Sequence, residues 1–474
     1  MTTYLFYDLE TSGLSKPFDQ IQQFAGKRLD RSFNEVESCF LEAKIAPDII
    51  PSPYAVMTHQ ISLDGDDARM TEQQAVEQIH AMINQPNTIS IGYNTLGFDD
   101  EFLRFAFYRH LLAPYTHQYA NGCTRFDVFP LAVFYFLYEK EALGWPEIDG
   151  KVSLKLEHIV TENDWFQGRA HHAMNDVDAT IRLAKHLQEA NPEMWQYLIG
   201  YFDKKIDQDR IAALPQAFKQ HEDFRYGLMV NAKFGANHTY QSMVLALGSH
   251  LHYKNQTTWL RLDKCDLTSL DFAECESQGL IIRKKYAEPG FLLPPSEHFT
   301  RHMSLDRMKQ VEKNLQIIQK DFQHFEIIQQ EARAYTYPDQ DNIDVDAGLY
   351  ELGFQTRDEQ QWCRDFHVAL PAAKKILLDT MKNPHIKEQA QRMIWRADQN
   401  SDPDIQQQMQ SIIQKIYQEN EKTGIFDYRG FEKRGLRDVL HELREIEQSG
   451  LDSEQQLAIN QFKNWLQVRR QKSR

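Results

Sequence analysis

Two periods of apolar spacing alternate through the first 190 or so residues. The run "TTYLFYDLE" (2–10) predicts a β-strand, and "TISIGYN" (88–94) predicts a second one, short and buried. "RSFNEVESCFLEAKIA" (31–46) predicts a strand pair with its turn near "FNEVE". A three- and four-residue spacing governs "TEQQAVEQIHAMINQ", where Ala75, Ile79, Met82 and Ile83 share a helix face and Thr71 is placed as N-cap. "DDEFLRFAFYRHLL" predicts a further helix that Asp99 or Asp100 can cap, and "HAMNDVDATIRLAKHLQ" predicts another. Strands alternating with helices point to an α/β layer fold.

The pattern changes after about residue 200. "YGLMVNAKFGANHTYQSMVLALGSHLHYKNQTTWLRLD" is rich in Gly, Asn, Thr and aromatics and predicts several short strands with turns, a small β-barrel. "AEPGFLLPPSE" reads as a Pro/Gly-rich loop. One long helix is predicted from Ser304, with Leu305, Met308, Val311, Leu315, Ile318 and Phe322 on its apolar stripe. Beyond residue 346 the pattern is helical almost throughout, in "AAKKILLDTMKN", "IQQQMQSIIQKIYQEN", "LRDVLHELREIEQ" and "EQQLAINQFKNWLQVRR". The expected organisation is multidomain: α/β over 1–195, a small β-barrel with a long helix over 196–345, and an all-α part over 346–474.

A length of 474 residues fits this division. The net charge of −15 argues against a loose coat along DNA, yet leaves room for a local basic groove. The five cysteines are scattered and form no C-x-x-C pair, which disfavours a disulfide framework and a structural zinc. "VFPLAVFYFLY" (128–138) is too short to span a bilayer. No basic segment precedes the first apolar run and Asp8 interrupts it, so no secretory leader and a cytoplasmic location are expected.

The chemistry begins at "YDLETSG". Asp8 and Glu10 are two residues apart, so on a strand they share a face, where like charges repel and burial worsens the repulsion. A lone D-x-E is most simply a solvated pair. This pair, however, ends the first strand, and ligands of open α/β sheets bind beyond the carboxyl ends of strands. A divalent cation would neutralise it, and oxygen-only ligands select a hard ion such as Mg²⁺ or Mn²⁺. Asp99 serves either as an N-cap or as a third carboxylate of that site. Arg104 and Arg109 meet either a phosphate or a surface acid. Asp176 falls in the first turns of a helix. His171, five residues earlier, would lie about 140° round a continuous helix, which places it in the entering loop as a candidate general base. His172 competes for that role. Tyr115 and Tyr119 in "APYTHQYANG" either stack on bases or pack at a rim.

The ordered set D-x-E, Asp, His-x-x-x-x-Asp resembles the histidine-bearing branch of the DEDD 3′→5′ exonuclease superfamily. "YDLETSG", "GYNTLGFDDEFLRFAFYRHLLAPY", "LKLEHI", "AHHAMNDVDATIRLAK", "MVNAKFGANH" and "DNIDVDAGLYELGF" extend the likeness over essentially the whole chain, and it is similar to the bacterial exodeoxyribonuclease I family. The resemblance implies a ribonuclease-H-like exonuclease domain, an SH3-like barrel and a C-terminal helical domain, clamped as a monomer on single-stranded DNA. It implies 3′→5′ hydrolysis of that strand to mononucleotides in DNA repair and recombination. Asp8, Glu10, Asp99 and Asp176 would hold two Mg²⁺ ions, with Mn²⁺ as a substitute, and His171 would deprotonate the attacking water. Glu10, Lys155, Arg104, Tyr115 and Tyr119 would contact substrate. The acidic C-terminal tail of single-stranded-DNA-binding protein is the implied partner, and no membrane is involved. The chain departs from the family pattern at three places. His172 stands where Asp often follows the histidine, and "HQI" (59–61) stands for "TGI". Lys155 replaces a phosphate-binding Arg, keeping the charge but losing the bidentate fork. Two other functions remain open on the residues: an exoribonuclease with the same site, and a clamp that binds without cleaving.

Overall fold

In the first strand, β1 (Thr3–Thr11), Leu5, Phe6, Tyr7 and Leu9 are buried while Asp8 and Glu10 are only half-buried. The computed structural model describes residues 2–63, 65, 68–165, 172–218, 221–337, 340–398 and 402–472. The chain divides into two compact units, one of residues 1–125, 167–178 and 338–474, the other of residues 126–166 and 179–337.

The first unit is built on a five-stranded mixed sheet. It comprises β1, β2 (Ile21–Leu29), β3 (Glu35–Glu42), β4 (Thr88–Gly92) and β5 (Thr124–Asp127), in the order β3-β2-β1-β4-β5. β1 runs antiparallel to β2 and parallel to β4, so the β1–β4 pair needs a crossover. Helix Glu72–Ile83 lies on that crossover, with Thr71 and Gln74 closing a reciprocal capping box at its start. Its buried Ala75, Val76, Ile79 and Ile83 join Leu5, Leu9, Phe24, Phe102 and Phe107 in one core cluster.

The predicted strand pair within 31–46 is corrected. The first partner is β2, ten residues upstream, and only β3 falls inside the stretch. β2 reads "IQQFAGKRL", whose paired glutamines and glycine weaken the strand signal, yet eight of its nine positions are buried because both faces are covered. The turn itself is where it was expected: the Asp30 carboxylate accepts from the N–H groups of Ser32 and Asn34, and Phe33 has a positive φ of 62°.

Six helices among the described residues after 356 follow the sequence pattern, at Arg357–Val368, Pro371–Leu378, Pro384–Ala397, Pro403–Tyr417, Leu436–Gln448 and Ser453–Lys472. They share a core with the N-terminal segment: Phe18, Ile45, Ile49 and Val56 pack with Leu436, Val439, Leu443, Ile459 and Phe462. An ion network reinforces this packing. Arg396 binds Asp48 and Asp346 at 2.6 Å each, and Arg392 binds Asp344 at 2.8 Å.

The second unit holds a tight hairpin, β6 (Glu147–Ile148) and β7 (Lys151–Val152), turned by Asp149 and Gly150 with φ of 50° and 72°. Its main sheet is antiparallel: β8 (Gln216–Phe218), β9 (His221–Val230), β10 (Gln241–Ser249), β11 (Gln256–Arg261), β12 (Ile281–Lys285) and β13 (Phe291–Leu293). The order is β12-β11-β10-β9-β13, with β8 also on β9. Leu214, Met229, Val244, Trp259 and Leu292 fill its core. Two expectations change here. "FLL" of the supposed loop is the buried strand β13, since three apolar residues find a free edge of β9 despite the flanking Pro and Gly. The long helix from Ser304 ends at Lys320 and a second runs from Phe322 to Ala334. Asp321, non-helical at φ −125° and ψ 64°, accepts from His324 N–H and so caps the second helix. No helix among the described residues is long and apolar enough to cross a membrane, and the five cysteines are free.

Candidate metal centre

The pleat of β1 sends Asp8 and Glu10 to one face, opposite Ala25 and Gln23 of β2. The register slips between Glu10 and Thr11, so the strand ends where the carboxylates are. Asp176 arrives from helix Ala173–Ala190, in its first turn, where its N–H donates to the His172 carbonyl at 3.2 Å. One carboxylate oxygen each from Asp8, Glu10 and Asp176 lies within 4.8 Å of the others. Asp99, buried at the start of helix Asp99–Arg109, adds a fourth acid whose charge acts on this group.

Like charge and burial act together on the cluster. Burial, followed by the charges of Asp99, Glu10 and Asp176, pushes the Asp8 carboxyl well above its ordinary range. Burial and the charges of Asp176 and Asp99 do the same to Glu10. Like-charged carboxylates held this close keep their protons unless a cation replaces them. The donor set, carboxylate oxygens alone, fits a hard divalent ion.

Asp100, the next residue after Asp99, has the opposite environment. Burial raises its carboxyl, but Arg125, Arg104 and His117 outweigh that and hold it far below the usual range. Arg104 Nη2 lies 2.8 Å from it, His117 Nε2 3.1 Å, and Arg125 is in direct contact. Neither Asp99 nor Asp100 caps the helix, contrary to expectation. Phe98 occupies the cap position without a side-chain hydrogen bond, and both acids are inside the first turn, aimed at other partners.

The remaining candidate residues take varied positions. Arg104 is buried, bound to Asp100, Glu101 and Gln118, with its guanidinium 5.6 Å from the Tyr115 ring centre. Arg109 is buried on Glu72 and the Pro17 and Asp19 carbonyls. Tyr115 is half-buried, whereas Tyr119 is 70% exposed. Lys155 belongs to the second unit, where its exposed amine sits 3.5 Å from Glu157. His171 lies outside the described residues. His172 stacks flat on Phe40 at 5.2 Å between ring centres, and its carbonyl receives the first helical N–H groups.

Two aromatics that the motif reading did not single out sit beside this group. Tyr350 donates its hydroxyl to Glu101 and meets Phe105 edge-on at 5.5 Å. Phe354, 89% exposed, approaches Tyr115 at 6.3 Å. The only sequence signal for them was the segment "GLYELGF", since neither belongs to a spacing that chemistry demands.

Comparison with known proteins bears on the same region. A family profile described as "Exonuclease" matches residues 5–184. Exodeoxyribonuclease I of Haemophilus influenzae is 34% identical over 206 residues, which are 43% of this chain and 44% of that protein. Exodeoxyribonuclease I of Escherichia coli is also 34% identical over 206 residues, 43% of each chain. The match thus spans less than half the length of these two curated relatives. In three dimensions, E. coli Exonuclease I in complex with a dA16 oligonucleotide superposes with a TM-score of 0.83 at 24% identity, covering 99% of this chain and 100% of that one. Residues 5–184 thus match the exonuclease family profile, and the chain has the fold of Exonuclease I.

Proposed function

We propose that this chain is an exodeoxyribonuclease that hydrolyses single-stranded DNA from its 3′ end to 5′-mononucleotides. The observation that carries the reading is the meeting of Asp8, Glu10 and Asp176 within 4.8 Å, inside the exonuclease-family domain. The exodeoxyribonuclease I relatives, and the oligonucleotide held by the E. coli enzyme, favour single-stranded DNA as the substrate.

Asp8, Glu10, Asp99 and Asp176 would hold the divalent ions, Mg²⁺ or Mn²⁺. Bound there, they would supply positive charge to the scissile phosphate and to the water and leaving oxygen of an in-line displacement. His171 takes the proton from the attacking water. Glu10 also orients the terminal nucleotide, Tyr115 and Tyr119 offer faces for bases, and Lys155 and Arg104 add charge toward the phosphates. His172 stacks on Phe40, which supports giving the base role to its neighbour. In this reading residues 1–195 are the ribonuclease-H-like exonuclease domain, 196–345 an SH3-like barrel with its helices, and 346–474 a helical domain. The enzyme acts as a monomer in the cytoplasm, in repair and recombination, and takes the acidic tail of single-stranded-DNA-binding protein as partner.

The test is metal-dependent nucleotide release from a 3′-labelled oligonucleotide. Wild type releases mononucleotides with Mg²⁺ or Mn²⁺ and none in EDTA. Asp176→Ala abolishes release while retaining single-strand binding. His171→Ala loses roughly 10²–10⁴ in rate, the span of general-base catalysis, and His172→Ala much less. Clearance of RNA but not DNA would replace this reading with an exoribonuclease. Release without added metal would refute the role given to the acids.

A further inference from the structure

The carboxylates of Asp8, Glu10 and Asp176 lie within 4.8 Å of one another, and in the absence of a cation like charges at that distance repel. Asp8 and Glu10 are fixed by the ladder of β1 on β2, whereas Asp176 rides on the first turn of helix Ala173–Ala190. That turn must be held against the sheet, and the groups that hold it belong to the first unit.

The edge strand supplies the contact. Ala25 of β2 pairs with Asp8 of β1, and Phe40 of β3 pairs with Ala25, so Asp8, Ala25 and Phe40 form one row on one face of the sheet. Two strand spacings, about 10 Å, separate the ends of that row. Fully buried Ala25 places only a methyl group between them. Phe40 is 40% exposed, so its ring is not a core residue. The His172 imidazole lies on that ring, 5.2 Å away between ring centres and 10° from parallel. His172 Nδ1 is buried without a hydrogen-bond partner among the described residues, so the stack, and not that nitrogen, orients the imidazole. The His172 carbonyl in turn accepts the N–H groups of Asn175 at 2.8 Å and Asp176 at 3.2 Å. One residue thus joins the edge strand by its ring and the turn bearing Asp176 by its backbone. A second tether runs from Lys27 of β2 to Asp178 at 2.6 Å. Lys27 also lies 3.6 Å from Glu35 and Asp178 is half exposed, so this ion pair adds little.

We propose that Phe40 is a positioning residue for the metal centre: through its stack on His172 it braces the turn that presents Asp176 to Asp8 and Glu10. The proposal rests on the reading of Asp176 as a metal ligand and not on the identity of the substrate. It gives His172 a task that an Asp at the same place cannot perform, because only a ring can stack. In this role Phe40 acts on metal affinity and turnover, not on DNA affinity.

Mn²⁺ binding to the full-length chain, followed by the electron paramagnetic resonance of the free ion, tests this apart from catalysis. Phe40→Ala weakens Mn²⁺ about tenfold, equivalent to about 1.4 kcal/mol. It lowers kcat on a 3′-labelled oligonucleotide about tenfold and leaves KM unchanged. Phe40→Tyr and His172→Phe keep two stacked rings and hold Mn²⁺ affinity within about twofold of wild type. His172→Ala gives the same loss as Phe40→Ala, and the double variant loses no more than either alone, as one shared contact requires. Wild-type Mn²⁺ affinity in Phe40→Ala overturns the proposal. So do losses that add in the double variant, or a loss that Phe40→Tyr fails to restore. Mn²⁺ binding undiminished by Asp176→Ala would refute the metal-ligand reading and the brace with it. A chain that shows the Phe40 effect on Mn²⁺ but cleaves no DNA would refute the exonuclease reading and leave the brace standing.

Discussion

Replacing Asp8 by Asn should stabilise the metal-free protein while destroying its activity. The carboxylates of Asp8, Glu10 and Asp176 lie within 4.8 Å of one another, and at an effective dielectric near 20 one ionised pair at that distance repels by about 3 kcal/mol. Asp8 has two such neighbours and feels Asp99 as well. Part of the repulsion is already relieved by retained protons, and solvent reaches the half-buried acids, so a net gain of about 1–2 kcal/mol is expected from the isosteric amide. That corresponds to a rise of a few degrees in the midpoint of thermal unfolding. The assay is unfolding followed by intrinsic fluorescence in EDTA and again with saturating Mn²⁺. Wild type should gain about 2.7 kcal/mol at a metal concentration of 100 times Kd, and Asp8→Asn far less, so the order of stability inverts between the two conditions. If Asp8→Asn melts below wild type in EDTA by as much as it does in Mn²⁺, the carboxylate is satisfied by a partner rather than repelled, and the cation-site reasoning fails.

Other outcomes follow from buried charges elsewhere. Burial raises the Glu72 carboxyl, but Arg109 and His110 overcome this and bring it to about 2, against an ordinary 4.5. Its folded value is depressed, so its stabilisation is complete above about pH 4.5 and is lost as pH falls toward 2, about 3 kcal/mol in all. Glu72→Gln should forfeit that stability at neutral pH and flatten the acid limb of a pH–stability curve; an unchanged limb would contradict the assignment. In the second unit, Lys284 and Asp207 form a buried pair at 2.6 Å. Lys284→Met should cost about 3–5 kcal/mol in urea unfolding by leaving Asp207 alone, and the double variant with Asp207→Asn should recover most of it. Additive losses in the double variant would show that the two groups do not depend on each other.

Much of the helical architecture was legible because an amphipathic stripe is a local signal. Thr71 with Ala75, Ile79 and Ile83 predicts the same helix that the structure contains, and the C-terminal helices follow their three- and four-residue spacing. The failures share a cause. β2 and β13 are strands because a neighbouring strand offers an edge and a core covers them, which no local period records. The break at Asp321 is likewise invisible to a stripe that continues across it into Phe322.

By itself the sequence determined the chemistry available: which acids could share a face, where a histidine could reach them, and that only oxygen ligands were on offer. Tertiary structure decided which of those acids act together. Asp99 and Asp100 are adjacent and chemically identical, yet one adds its charge to the Asp8, Glu10 and Asp176 carboxylates while the other is neutralised by Arg104, Arg125 and His117. Sequence spacing cannot separate them, because a carboxylate's behaviour is set by the charges within a few ångströms. Those charges come from residues up to 25 positions away for Asp100 and from a different helix, bearing Asp176, for Asp8.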